Sequence, residues 1–376
     1  STLFPYTTLF RSPYSAIGPL VGGVLLEHFW WGSVFLVSVP VMVLLLVTGP
    51  VLLPEFRDPR AGKLDFVSVL QSLAAVLAIM YGLKRIAEAG FAWPAALTIA
   101  AGLLVGWRFV RRQASLADPL IDLKPFRVPA FSAALAANTL SMLVVFALMF
   151  YIAQQLQLVF GMSPLVAGLW TVPTSLAFVI GSMVSPLVAH RMRPAFVIAG
   201  GFLLSAAGAV MLTQVDGPYS LAILVTGAVV LAFGIAPPVI LSTDIIVSTA
   251  PPERAGAASA ISETGAEFGG AAGIAIIGSL STAIYRTYVT DAMPAGVPPE
   301  VAEVASRTLA GALAVAERLP EALGAQLVTI TRDAFMHSFD IAAAISAAVL
   351  VATATLVAML LHDVRAPADA AVSVED

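Results

Sequence analysis

The sequence has no cysteine, which excludes disulfides, thiolate metal sites and cysteine nucleophiles together. Charge is almost as scarce: 11% of the 376 residues are Asp, Glu, Lys or Arg, against roughly 25% in a soluble domain. The four histidines, His28, His190, His337 and His362, are scattered and offer no metal-ligand spacing. No P-loop and no dinucleotide fingerprint occurs, so neither ATP-driven work nor a nucleotide cofactor is expected. A net charge of −4 leaves no basic surface for nucleic acid. A membrane-embedded enzyme would need a nucleophile, a metal set or a histidine cluster, and none is visible. What is abundant is apolar. With 59% hydrophobic residues and a mean hydropathy of +0.94, the chain reads as a bilayer protein.

A spanning helix takes about 20 mostly apolar residues. Such runs are found at 13–26 (short), 33–53, 66–83, 91–109, 131–153, 164–188, 195–213, 219–247, 257–284 and 338–361, so the expected fold is all-α and polytopic, with about ten transmembrane helices. One set of alternate loops carries Arg57, Arg60, Lys63, Arg108, Arg111, Arg112, Lys124, Arg127, Arg191, Arg193, Arg254 and Arg365. The short loops of the other carry only Lys84 and Arg85. The positive-inside rule puts the first set in the cytoplasm. The long loop of about 286–336 is then outside. Its stretch PPEVAEVASRTLAGALAVAERLP has helical spacing, with Pro299 as a first-turn proline, and one or two amphipathic helices on the outer surface are expected. Asp65 and Ser338 stand where helices are expected to start and read as caps.

Within ISETGAEFGG, Glu263 and Glu267 are one helical turn apart and share a face. Counted from about Ala257, they lie roughly 9 and 15 Å into the membrane. A carboxylate there costs roughly 2.5–3.5 kcal/mol on insertion scales and persists where it meets a water-filled cavity or a ligand. Burial and a neighbouring like charge favour protonation of a carboxyl group, so such a pair can hold a proton and release it when a cation arrives. The local alternative is that Glu263 snorkels to the interface and Glu267 pairs nearby. Asp244, two turns below the Pro237-Pro238 pair expected to kink its helix, is a third proton or substrate candidate, with interfacial placement as its alternative. Asn138 either lines a cavity or hydrogen-bonds another helix. Gln154, Gln155 and Gln157 lie near the outer end of their span, where headgroup contact competes with cavity lining. Phe146, Met149, Tyr151 and Trp170 are candidate drug contacts, with packing or the aromatic belt as the alternative.

Glycines recur in two related patterns. IGPLVGGVL has Gly18, Pro19, Gly22 and Gly23, and TGAEFGGAAG has Gly265, Gly269 and Gly270. This spacing makes a flat face that lets another helix approach closely. Two copies suggest homologous halves related by an axis along the membrane normal.

Together these motifs resemble the fourteen-span drug–proton antiporter branch of the major facilitator superfamily, most of all its quaternary-ammonium and methyl-viologen exporters. SAIGPLVGG resembles the antiporter motif of the family's fifth span. WWGSVFLVSVP is similar to the pattern of the following span, with Ser38 in place of the usual Asn. QLVFGMSPLVAGLWTVP and STDIIVSTAPPERAGAASAISETGAEFGGAAGIAIIGSL resemble the segment joining spans nine and ten and spans twelve and thirteen. The resemblance covers Pro13 to about His362. It implies proton-coupled efflux of hydrophobic cationic drugs across a bacterial inner membrane, or transport of another solute by the same fold. Expected partners are lipophilic cations, protons and lipid, with the proton gradient in place of a cofactor, and a monomer. Residues 13–53 would be the last two spans of an N-terminal half, 54–130 two additional central spans, 131–362 a six-span C-terminal half and 363–376 a cytoplasmic tail. Residues 1–12, STLFPYTTLFRS, are similar to the translation of a sequencing adapter. The expectation is therefore a chain lacking its first four spans, and inactive in transport without them.

Overall fold

The computed structural model describes residues 18, 21–52, 65–89, 92–116, 119–215, 217, 220–250 and 255–361. Helices are the only regular structure among them. Residues 21–28 form α1, followed by α2 (Ser33–Leu36), α3 (Ser38–Leu52), α4 (Phe66–Ala89), α5 (Trp93–Ser115), α6 (Pro129–Gln154), α7 (Pro164–Ala189) and α8 (Pro194–Leu212). The chain continues through α9 (Ser220–Thr249), α10 (Ala255–Asp291), α11 (Pro299–Arg307), α12 (Leu309–Ala316) and α13 (Glu321–Leu360). Eight helices among the described residues are long and apolar enough to cross a membrane, and the Ser33–Gly49 run is a shorter ninth candidate. Half of the run expected at 13–26 lies outside the described residues.

Local sequence sets the starts. Proline stands in the first turn of α5, α6, α7, α8 and α11, where its missing N–H costs nothing. Ser163 caps α7 by accepting a hydrogen bond from the Val166 amide. Helices α6, α7, α8, α9, α10 and α13 pack into one bundle. Its closest contacts run along small residues. A Cβ on Gly208 would sit 2.8 Å from the Gly227 carbonyl oxygen, so α8 and α9 meet nearly backbone to backbone, as lipid-solvated helices do when packing rather than hydrophobicity drives association.

Helices α4 and α5 form a hairpin that leans on α10. Asp65 caps α4 through the Val67 amide, 3.1 Å away, as its position predicts. It also takes two bonds from Arg112 at 2.8 and 3.2 Å, a tie across 47 residues invisible in the sequence. Ser68 donates to Asp65, the buried Gln113 donates to Ser68, and Gln113 in turn accepts from the Ile121 amide. The Arg112 guanidinium, and next the Ser68 hydroxyl, hold the Asp65 carboxyl down to about 2.

The expected loop of 286–336 is mostly helix. Helix α10 runs on to Asp291 and α13 begins at Glu321. At 1.5 Å per residue these helices measure about 56 and 60 Å, well beyond a hydrocarbon core of about 30 Å. Charges such as Arg332 and Asp333 lower the local hydropathy, which placed the span start too late; they ride on a projecting helix. Ser338 is therefore no cap. It is buried in the middle of α13 and its hydroxyl donates to the Phe335 carbonyl. Between the projections, α11, α12 and the start of α13 build a second small core of Ala305, Ala312, Val315, Ala316 and Leu327. The two expected helices are present, and α12 buries one face, Leu309, Ala312, Val315 and Ala316, while Ala310 and Ala314 stay exposed. Tyr285 anchors this cap by donating to the Ala305 carbonyl at 2.9 Å.

Candidate functional site

Helix α10 has two unlike faces. Gly265, Gly269 and Gly273 form a stripe pressed on α6. A Cβ on Gly269 would overlap the Thr139 carbonyl oxygen and lie 3.0 Å from its carbon, and one on Gly273 would lie 2.8 Å from the Leu143 carbonyl carbon. Gly270 instead faces the Phe146 ring. Glu263 and Glu267 occupy the opposite face and are exposed, about 12 and 18 Å along the axis from Ala255. The stripe positions the acids: with Gly265, Gly269 and Gly273 pressed on α6, both carboxylates are turned away from it.

Asn138 fixes the same register with polar contacts. It is buried on α6, and its amide nitrogen donates to the Ser262 hydroxyl at 3.1 Å and the Ser262 carbonyl at 3.3 Å. Of its two readings, interhelical bonding is the one observed, one residue before Glu263. Asp244 is half-buried on α9. The glutamines divide. Gln155 is fully buried in a π-helical turn, Gln155–Val159, with neither amide atom hydrogen-bonded. That corrects the expectation of headgroup contact: Gln155 continues the buried stripe of Val144, Leu148 and Tyr151 at ordinary helical spacing. Gln154 is half-buried, while Gln157 and Trp170 are exposed. Gly18 is exposed and Gly22 has open space, whereas Gly23 is buried with α7 close by, a Cβ falling 2.8 Å from Leu165 Cα. Pro19 lies outside the described residues.

A cavity of about 560 Å³ opens between α1, α6, α7 and α9. Its walls are apolar, from Leu26, Met142, Met149, Phe178 and Ile235, with Thr171, Thr174, Ser175 and Gln157 as polar points. Four separate helices supply it, so sequence reading named Met149 as a drug contact, and Gly22, Gly23 and Gln157 in other roles, but missed the rest; aromatic and Met residues on a spanning helix carry no signal of which ones meet. Glu263 and Glu267 are not part of its wall. Cavity and acid pair lie on different flanks of α6. No cluster of metal-ligating side chains occurs among the described residues.

Residues 14–274 match the profile of the Major Facilitator Superfamily. Over 343 residues the chain is 40% identical to the multidrug efflux pump LfrA of Mycolicibacterium smegmatis, covering 91% of this chain and 68% of that protein. It is 30% identical over 331 residues to the methyl viologen resistance protein SmvA of Salmonella typhimurium, covering 87% and 66%. It is 29% identical over 354 residues to the tetracenomycin C resistance and export protein of Streptomyces glaucescens, covering 91% and 65%. The chain thus spans about two thirds of the length of these relatives.

Proposed function

The chain belongs to the major facilitator superfamily, and from that premise we propose that the intact protein exports lipophilic cationic compounds across a bacterial inner membrane in exchange for protons, as a member of the fourteen-span branch. The observation that carries this reading is the acid pair, Glu263 and Glu267, exposed on the face of membrane-length α10 opposite its glycine stripe. Two carboxylates one turn apart in an apolar helix are costly unless something positive visits them. A proton satisfies one state and a substrate cation the other, so occupancy by one disfavours the other, which is the differential binding that exchange requires. Asp244 on α9 is a further proton-accepting group in this scheme.

The Met- and Phe-lined cavity, which Glu263 and Glu267 do not line, takes up a lipophilic compound at a separate stage of its passage, where polarizable, adaptable side chains accept many shapes. The names of the relatives, a multidrug pump and a methyl viologen resistance protein, are in keeping with this substrate class. The test is efflux by the intact protein in a drug-sensitive bacterium. Glu267→Gln is expected to abolish uncoupler-sensitive export of a divalent lipophilic cation at normal expression, and Glu263→Gln to weaken it. Full export by the double variant would remove the assignment.

A further inference from the structure

A second cavity, of about 510 Å³, lies between α4, α6, α10, α13 and the α11–α12 cap. It follows α10 from Ala271 to Tyr285, a rise of about 21 Å. One leaflet, half of a bilayer about 40–45 Å thick with its headgroups, has the same depth. Polarity changes along the slot. Along α10 the wall runs from Ala271, Ile274 and Ala275 to Ser281, Thr282 and Tyr285, where the cap adds Arg307 and Thr308; Lys84 and Gln154 line the slot from α4 and α6. An apolar channel with two cations in its wall matches a molecule with a hydrocarbon chain and an anionic head.

We propose that this slot binds one anionic glycerophospholipid, with its phosphate between Lys84 and Arg307 and one acyl chain lying along α10 between α4 and α6. The second chain stays in the surrounding bilayer, with which the slot is continuous. Arg307 is braced by Glu303 on its own helix. An exposed pair of this kind is weak, and a guanidinium can offer a phosphate two parallel N–H bonds. The same two cations repel a lipophilic cation, so the slot is distinct from the export site and does not depend on that assignment. A bound lipid would join three parts of the chain, the α4–α5 hairpin, the six-helix bundle and the cap.

Native mass spectrometry of the full chain tests this, after incubation in detergent micelles with phosphatidylglycerol or with phosphatidylcholine. Wild type is expected to retain one phosphatidylglycerol in preference to phosphatidylcholine, and millimolar inorganic phosphate is expected not to displace it. The K84Q/R307Q variant should bind phosphatidylglycerol roughly 30-fold more weakly, at about one interfacial charge contact per lost cation. R318Q, which removes a cap charge outside the slot, should bind as wild type does. Ile274→Trp fills the apolar end while keeping both cations, at a position already 40% exposed, and should also lose the lipid. Unchanged phosphatidylglycerol retention in both K84Q/R307Q and I274W would overturn the proposal. So would displacement by inorganic phosphate, or equal retention of phosphatidylcholine.

Discussion

Replacing Gly269 with alanine adds one methyl group where α10 meets α6. That methyl has no room: it would overlap the Thr139 carbonyl oxygen and sit 3.0 and 3.2 Å from the Thr139 carbonyl carbon and Cα. These are backbone atoms of a packed helix, so no side chain can swing aside and α10 must retreat. Overpacking of this kind costs about 1–3 kcal/mol. Retreat also stretches the Asn138 bonds to Ser262, now 3.1 and 3.3 Å, and an unsatisfied buried amide costs about 1–3 kcal/mol more. Gly278→Ala is the matched control, since a Cβ there meets nothing within 4 Å. Both substitutions gain the same helix propensity, about 1 kcal/mol, so their difference isolates the steric and polar terms. We expect Gly269→Ala to be about 3 kcal/mol less stable than Gly278→Ala, read as thermal unfolding by tryptophan fluorescence in detergent. Gly273→Ala should behave like Gly269→Ala. Equal stability of the 269 and 278 variants would refute the close packing on which the orientation of the acid pair depends.

Two other outcomes follow from single contacts. Asp65 is held near 2 in the folded chain against an ordinary 3.8, so its stabilisation is complete above that ordinary value and is lost as pH falls through about 2. Acid titration followed by tryptophan fluorescence should show the α4–α5 hairpin, which carries Trp93 and Trp107, loosening in that window, and Asp65→Asn should remove the transition by loosening the hairpin already at neutral pH. An unchanged titration in the variant would count against the Arg112 tie. Tyr285→Phe leaves the buried Ala305 carbonyl without its donor, so limited trypsin cleavage at Arg307 and Arg318 should rise about tenfold; unchanged cleavage would mean that the cap is held by its apolar core alone.

Much of this was legible in the sequence because a bilayer makes one rule dominate. Runs of apolar residues must be helices there, since no water remains to satisfy a free backbone, and α4 to α9 lie where hydropathy puts them. The GxxxG stripe of α10 was legible for the same reason: between lipid-solvated helices only small residues permit backbone contact, and Gly265 and Gly269 meet α6. Hydropathy failed where helices leave the membrane. Arg332, Asp333 and His337 read as loop, yet they continue α13, because projecting helices obey soluble-protein packing. Gln155 was misplaced because a polar residue near a span end looks interfacial by composition, although its spacing from Val144, Leu148 and Tyr151 sets it on the buried face of α6. The Asp65–Arg112 tie and the cavity walls depend on which helices are neighbours, and periodicity within one helix does not encode that.

The most direct test of the account is whether substrate binding releases protons from the acid pair. Purified intact protein in weakly buffered detergent, with a pH indicator, should acidify the solution when a divalent lipophilic cation is added, and the E263Q/E267Q variant should not. Proton release by the double variant equal to that of wild type, or tight binding by wild type with no release, would contradict exchange at Glu263 and Glu267.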